Sequence, residues 1–288
     1  ANATVDVAAA DATGTADVLK VEQKVNGDVA NVVKSTGIET LDITVSDTGA
    51  TANSATFDLT NFDGTKVVAR ESATTVTTGS NIALGTLNKN VVTVDTSGIK
   101  GTQSASTANA TAATTFNLGG TAAATVTGSA QADTFNIAST GAVSHSITGS
   151  GGTDTTNVSV KAGWVVSSGI ATENLNIAVK AGDSITMTAG TAMNAASTAI
   201  TLTGGNSLSV FTTPTTTSAL ADTVKTFDAS EFQGTIAAHV VNDKLDDTVT
   251  ITGGASTTDS VTSTYATAGT YKAKTVGVET LNITGTDG

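Results

Sequence analysis

One phrase constrains the fold of this chain more than any other feature: Gly37-Ile38-Glu39-Thr40-Leu41-Asp42-Ile43-Thr44-Val45, which returns over Gly169–Val179 and over Gly277–Thr284. Glycine permits a tight or left-handed corner, and Leu41, Ile43 and Val45 then alternate with Asp42 and Thr44 at the two-residue period of a half-buried strand. The second copy alternates at Leu175, Ile177 and Val179, the third at Leu281 and Ile283. Glu39, Glu173 and Glu279 read as outward, solvent-facing markers of the turn, with no neighbouring partner for chemistry. A phrase that recurs without a catalytic residue predicts repeated architecture before it predicts a site.

Such strands need a core of small side chains. Aromatics are only 3% of the 288 residues while hydrophobic residues reach 39%, which leaves Val, Ile, Leu, Ala and Thr to fill the interior. β-Branched residues favour strands, and no long stretch has the apolar spacing of an amphipathic helix. Short apolar runs such as Val18–Val21, Val29–Val33, Leu41–Val45, Ala55–Leu59 and Val91–Val94 arrive at intervals of about 8 to 15 residues, separated by Gly, Asn, Asp, Ser or Thr. Two-residue hairpin signals are scarce, Asn26-Gly27 being the only Asn-Gly. The expected class is all-β, an elongated parallel β-solenoid or β-helix, with tandem β-sandwich domains as the alternative.

A second phrase supports the solenoid. Residues 57–65, 94–102 and 227–235 share one frame: an apolar residue, Asp, any residue, Ser or Thr, any residue, Phe or Ile, any residue, Gly, Thr. Asp followed two residues later by a hydroxyl is an Asx-turn arrangement. These are expected to be capped corners, in which Phe62, Ile99 or Phe232 plugs the turn and Gly releases the chain into a new strand.

Residues 1–288 read as one continuous solenoid-like region, and as a fragment of a longer chain, because patterned β sequence reaches both ends. The Ser/Thr/Ala-rich stretch 102–115 and the stretch 212–217 around Pro214 are possible subdomain breaks. Glu39 to Glu173 is a shift of 134 and Val94 to Phe227 a shift of 133, a weak sign of duplication from which no boundary is drawn.

Net charge is −12 and the pI about 4.3, which disfavours nucleic acid and anionic membrane surfaces as partners and makes divalent cations plausible ones. No apolar run approaches the roughly 20 residues of a spanning helix, so membrane insertion is not expected. The absence of cysteine removes disulfides and thiolate metal sites.

The strongest candidates for chemistry are glycine–aspartate turns. Gly128-Ser129-Ala130-Gln131-Ala132-Asp133 and Gly149-Ser150-Gly151-Gly152-Thr153-Asp154 both carry Asp at the sixth position, the pattern of a calcium-binding nonapeptide, in which glycines expose carbonyl oxygens and aspartate completes an all-oxygen shell. Asp247, in the acidic run with Asp243 and Asp246, and Asp259 after Gly253-Gly254 are looser relatives. Candidate metal ligands are therefore Asp133, Asp154, Asp247 and Asp259, with calcium as the ion. Asp133 and Asp154 are 21 residues apart, against 18 for two nine-residue steps, and β-arc turns that bind no metal fit the same residues.

Catalysis is not expected. His145 and His239 are the only histidines, and neither has a metal-ligand spacing or a convincing nucleophile beside it. Trp164, Tyr265 and Tyr271 are isolated. The Thr-x-Thr pairs, such as Thr75–Thr77, Thr125–Thr127 and Thr201–Thr203, are too irregularly spaced for one flat array and read as outward strand threonines.

Taken together, Glu39–Ile43, Glu279–Ile283, the corner Phe227–Gly234 and the turn Gly128–Phe135 resemble Gram-negative surface-layer proteins, a family overlapping the repeat-in-toxin proteins. The resemblance runs through most of the chain on short motifs. It implies a calcium-assisted β-solenoid, type I export without a cleaved N-terminal signal, and a two-dimensional homo-oligomeric lattice on the bacterial surface, over lipopolysaccharide that regions outside this chain would contact. The alternatives are a passenger or stalk of a large secreted adhesin and, third, a polysaccharide-active β-helix enzyme.

Overall fold

Alternation of apolar and short polar residues makes strands with one dry face, and in this chain those strands pair in parallel with residues one coil away. A computed structural model describes residues 3–8, 17–47, 52–72, 79–139, 143, 145–160, 165–166, 169–187, 197–213, 220, 223–240, 248–265 and 274–285. Among them there is no helix. Asp243, Asp246, Asp247, Trp164, Tyr271, Pro214 and Thr75–Thr77 lie outside the described residues. The chain divides into two units, Ala1–Ala138 with His145–Asp154, and Ser139–Ser144 with Thr155–Gly288.

The first unit contains β1 (Ala3–Ala8), β2 (Val18–Val25), β3 (Val29–Thr36), β4 (Thr40–Asp47), β5 (Ser54–Phe62), β6 (Lys66–Glu71), β7 (Asn81–Thr86), β8 (Thr93–Gly98), β9 (Gln103–Ser106), β10 (Thr115–Gly120), β11 (Ala124–Thr127), β12 (Thr134–Ser139) and β13 (Ser146–Thr148). Odd-numbered strands form one sheet and even-numbered strands the other. Leu41 lies beside Val67, Val67 beside Val94 and Val94 beside Phe116, so each coil presents the same inward position to the next. All four are fully buried. The Phe116 and Phe135 rings stack with centroids 5.0 Å apart and planes 9° from parallel, an offset continuation of that inner column.

The second unit contains β14 (Thr155–Val160), β15 (Val165–Val166), β16 (Ile170–Ala171), β17 (Asn174–Val179), β18 (Ser184–Met187), β19 (Ala199–Gly204), β20 (Val210–Thr212), β21 (Thr226–Phe232), β22 (Thr235–Val240), β23 (Thr250–Thr252), β24 (Ser260–Tyr265), β25 (Lys274–Val276) and β26 (Thr280–Gly285). One parallel sheet runs β14-β17-β19-β21-β23-β25 and the other β15-β18-β20-β22-β24-β26. Leu175, Ile200, Phe227 and Ile251 form the inner column of the first, and Phe211 meets Phe227 from the second at 5.2 Å. Each unit is a parallel β-solenoid, as the turn chemistry predicts, and not a β-sandwich. Asn26-Gly27, with Gly27 at φ 116°, joins β2 to β3 in different sheets and makes no hairpin.

The repeated strand phrase becomes β4, β17 and β26, with Gly37 at φ 71° and Gly277 at φ 62° in the left-handed region where glycine is favoured. Its third copy differs in setting. β26 lies in the second unit's other sheet, beside β24, and Leu281 and Ile283 are 39% and 58% exposed where Leu41 and Leu175 are fully buried. The capped-corner phrase behaves alike in all three copies. Thr60 donates its N–H and hydroxyl to Asp58 Oδ1 (3.1 and 2.7 Å), Ser97 does the same to Asp95 (3.0 and 2.6 Å), and the Ser230 N–H bonds Asp228 (2.9 Å). Each cap coincides with a slip in strand register, between Val32 and Lys34, Val68 and Arg70, and Thr201 and Thr203, the signature of a β-bulge. Phe62, Ile99 and Phe232 are buried as the plugs.

The stretch 102–115 is no break in the first unit. It contributes β9 to a sheet, and Ala105, Thr107, Ala110 and Thr114 are buried.

Candidate functional site

The glycine–aspartate turns are corners where the chain passes between sheets, and their carboxylates point into the protein. Asp133 and Asp154 are each 1% exposed and Asp259 is fully buried. In the first unit, Asp133 Oδ1 accepts the Thr114 N–H and Oδ2 the Ser129 N–H, both at 2.5 Å, while the Ser129 hydroxyl lies 3.1 Å from each oxygen. Asp154 Oδ1 accepts the N–H of Asp133 itself at 2.7 Å, 21 residues back. The spacing that misses two nine-residue steps is therefore one turn of this solenoid. In the second unit, Asp259 Oδ1 takes the Ile236 N–H at 3.0 Å and Oδ2 the Gly254 N–H at 2.7 Å.

The glycines explain themselves through these carboxylates. A Cβ on Gly149 would lie 1.9 Å from Asp154 Oδ2, and one on Gly128 2.4 Å from Asp133 Oδ2. Glycine is required here because the acid side chain folds back into the space a methyl group would occupy, with no need for a carbonyl to reach a metal.

Glutamates of the strand phrase join the same scheme, which corrects the expectation that they merely face solvent. Glu39 Oε2 accepts the Asp17 N–H and Glu279 Oε2 the Asp259 N–H, both at 2.8 Å and both about one coil earlier. In the first unit a further acid, Glu71, was not singled out by sequence. Its Oε1 gathers the N–H groups of Ser80 (2.9 Å), Lys100 (2.9 Å) and Gly101 (3.3 Å), a concave nest of backbone donors around one anion. The available signal was an acid ending a strand before Gly79-Ser80 and aligned with Gly101.

These corners do not fit calcium as bound by the nonapeptide pattern. A calcium shell is built of oxygens whose lone pairs face the ion. Around Asp133 and Asp259, both carboxylate oxygens are instead turned to N–H hydrogens, whose positive ends repel a cation. Among the described residues, no group of three or more His, Cys, Asp or Glu side chains comes together to hold a metal ion.

His145 is buried beneath the odd-strand sheet of the first unit, with Nδ1 accepting the Ala124 N–H at 3.3 Å and Nε2 left without a partner. Burial holds its pKa below the usual 6.5, and desolvation lowers that of His239 in the second unit as well. Among the described residues, neither imidazole hydrogen-bonds a nucleophilic side chain or the other histidine.

Outward positions carry a repeating polar ladder that sequence spacing concealed. In the first unit, Thr115 and Asn117 of β10 lie beside Thr93 and Asp95 of β8, and Asn136 donates to Asn117 Oδ1 at 2.9 Å. In the second, Asn176 donates to Asn157 Oδ1 at 2.8 Å. Both asparagine pairs are 19 residues apart, on Thr-x-Asn and Asn-x-Asn phrases that name no partner until the coil length is known. Thr125 and Thr127 likewise lie outward beside Ser104 and Ser106 on one side and Ser146 and Thr148 on the other.

These features define a class by architecture: parallel β-solenoid units whose acidic corner residues grip the backbone of the preceding coil. Compared with known proteins, the chain matches no protein-family model, no curated protein and no solved structure.

Proposed function

We propose that this chain is a structural protein of the bacterial cell surface, a surface-layer component whose copies associate side by side into a two-dimensional coat. The observation that carries this is where the polar chemistry is spent. Buried acids at the corners grip backbone, and outward sheet positions repeat short Thr, Ser and Asn side chains in register, giving faces suited to lateral packing. Short side chains lose little rotamer freedom on contact, so repeated weak contacts add up across a lattice. Calcium enters as a counter-ion between copies of a chain carrying −12, and not in the corners. Export to the exterior and attachment over lipopolysaccharide belong to the same proposal.

Electron microscopy of the purified chain with calcium tests it: ordered sheets that dissolve in EDTA are expected, and single particles unchanged in size by calcium would defeat it. A shallow groove on the odd-strand sheet of the first unit favours the adhesin reading as a second. It encloses about 370 Å³ and is lined by Ser54, Thr56, Asn81, Thr102, Ser104 and Thr125, uncharged groups able to exchange hydrogen bonds with sugar hydroxyls. Saturable binding to a glycan array by monomers would move the assignment there.

A further inference from the structure

We infer that the glycine–aspartate corners hold each solenoid unit together without calcium, so that metal removal takes copies apart while leaving each copy folded. Only the second half rests on the surface-layer proposal.

Every coil corner of a solenoid turns backbone N–H groups away from the sheet ladders, and each buried one must find an acceptor. A metal-bound corner meets the opposite need, because its exposed groups are carbonyl oxygens. Here the groups to be satisfied are N–H: Thr114 and Ser129 at Asp133, the Asp133 N–H at Asp154, Ile236 and Gly254 at Asp259, and the Asp259 N–H at Glu279. Successive acids also form a relay. Asp154 holds the backbone of Asp133, whose own carboxylate holds the backbone of Thr114, 19 residues earlier. In the second unit, Glu279 holds Asp259, whose carboxylate holds Ile236, 23 residues earlier. Asp133 and Asp259 are each both the acid of one link and the residue that the next acid fixes, so in each unit two successive links staple neighbouring coils through carboxylates on backbone donors.

A cation at such a corner would have to turn these donors away and leave them buried without partners. Glycine offers no relief. At Gly253 a Cβ would lie 1.9 Å from the Gly277 carbonyl oxygen and 2.9 Å from Asp259 Oδ2, so little room is left between successive corners for an ion and its waters. The acids therefore supply internally the cross-coil link that calcium supplies in the nonapeptide pattern.

The test follows thermal unfolding of the purified chain by circular dichroism, and backbone hydrogen exchange of peptides containing Thr114, Ser129, Ile236 and Gly254, in EDTA and in excess calcium chloride. An unchanged Tm and amides equally protected in both media are expected. If calcium raises the Tm, the double variant Asp133→Asn with Asp259→Asn decides. An equal rise in the variant places the ion elsewhere and upholds the assignment; loss of the rise overturns it. Should that variant fail to fold, exchange in the parent chain decides alone, since amides that exchange freely in EDTA and become protected with calcium overturn the inference. Sheets that survive EDTA would overturn the claim that metal removal takes copies apart and leave the corner assignment standing, whereas single particles with and without calcium would defeat the coat proposal itself.

Discussion

Asp58 and Asp133 belong to the same unit and both sit at corners, yet they do opposite work. Asp58 is exposed and bonds Thr60, two residues on, so its cap closes within its own strand. Asp133 is buried and bonds Thr114, 19 residues away. The same contrast recurs in the second unit between Asp228, capped on Ser230, and Asp259, which reaches Ile236. An aspartate that satisfies its own turn shapes the chain locally. One that satisfies another coil's backbone ties the solenoid together.

The largest expected effect tests the second kind. Asp133→Ala or Asp259→Ala would strand two buried or part-buried N–H donors each, at about 1–3 kcal/mol per donor, so each variant should lose about 2–6 kcal/mol by urea unfolding. A loss no greater than that of Asp58→Ala would break the contrast.

Next come the glycines that release the bulged corners. A Cβ on Gly64, Gly101 or Gly234 would lie 2.3, 2.1 or 2.2 Å from the carbonyl oxygen of Ile38, Ser80 or Ser209 in the preceding coil. Gly101→Ala should therefore destabilise by about 1–3 kcal/mol or more, and tolerance of alanine there would show that neighbouring coils are not in close contact at these corners.

A smaller, pH-dependent effect comes from His145. Burial lowers its pKa in the folded state, so the unfolded chain binds the proton more readily. Stability from this source is full above pH 6.5 and is lost as pH falls below it toward the folded value. His145→Gln should flatten that part of the stability–pH curve, and an unchanged slope would place the acid sensitivity elsewhere.

The smallest effect sharpens the comparison from the local side. Asp58→Ala should change stability by no more than about 0.5 kcal/mol, as for other exposed positions. The hydroxyl and N–H of Thr60 hold the Asp58 carboxyl below its ordinary 3.8, so what little it contributes is present above that pH and fades as pH falls through the folded value.

The difference between the two corners is also the difference between what could and could not be read in advance. The strand phrase and the bulged corner were legible because their causes are local: alternation sets which face of Leu41-Asp42-Ile43 is dry, and Asp58 bonds a residue two places on. The Gly128 and Gly149 turns were visible as a pattern, but their chemistry was open, since carbonyls gathered on a metal and N–H groups gathered on a carboxylate call for similar residues. Glu39 looked solvent-facing because its partner, the Asp17 N–H, is 22 residues away. The Asn117–Asn136 ladder escaped for the same reason.

By itself the sequence determined an all-β chain of small-residue strands, its capped corners and the places where glycine must sit, because these follow from side-chain period and turn geometry within a few residues. Only the tertiary structure decided the length of a coil, and coil length decides which backbone groups each acid meets. With 21 residues from Asp133 to Asp154, the carboxylate arrives at an N–H and becomes a staple.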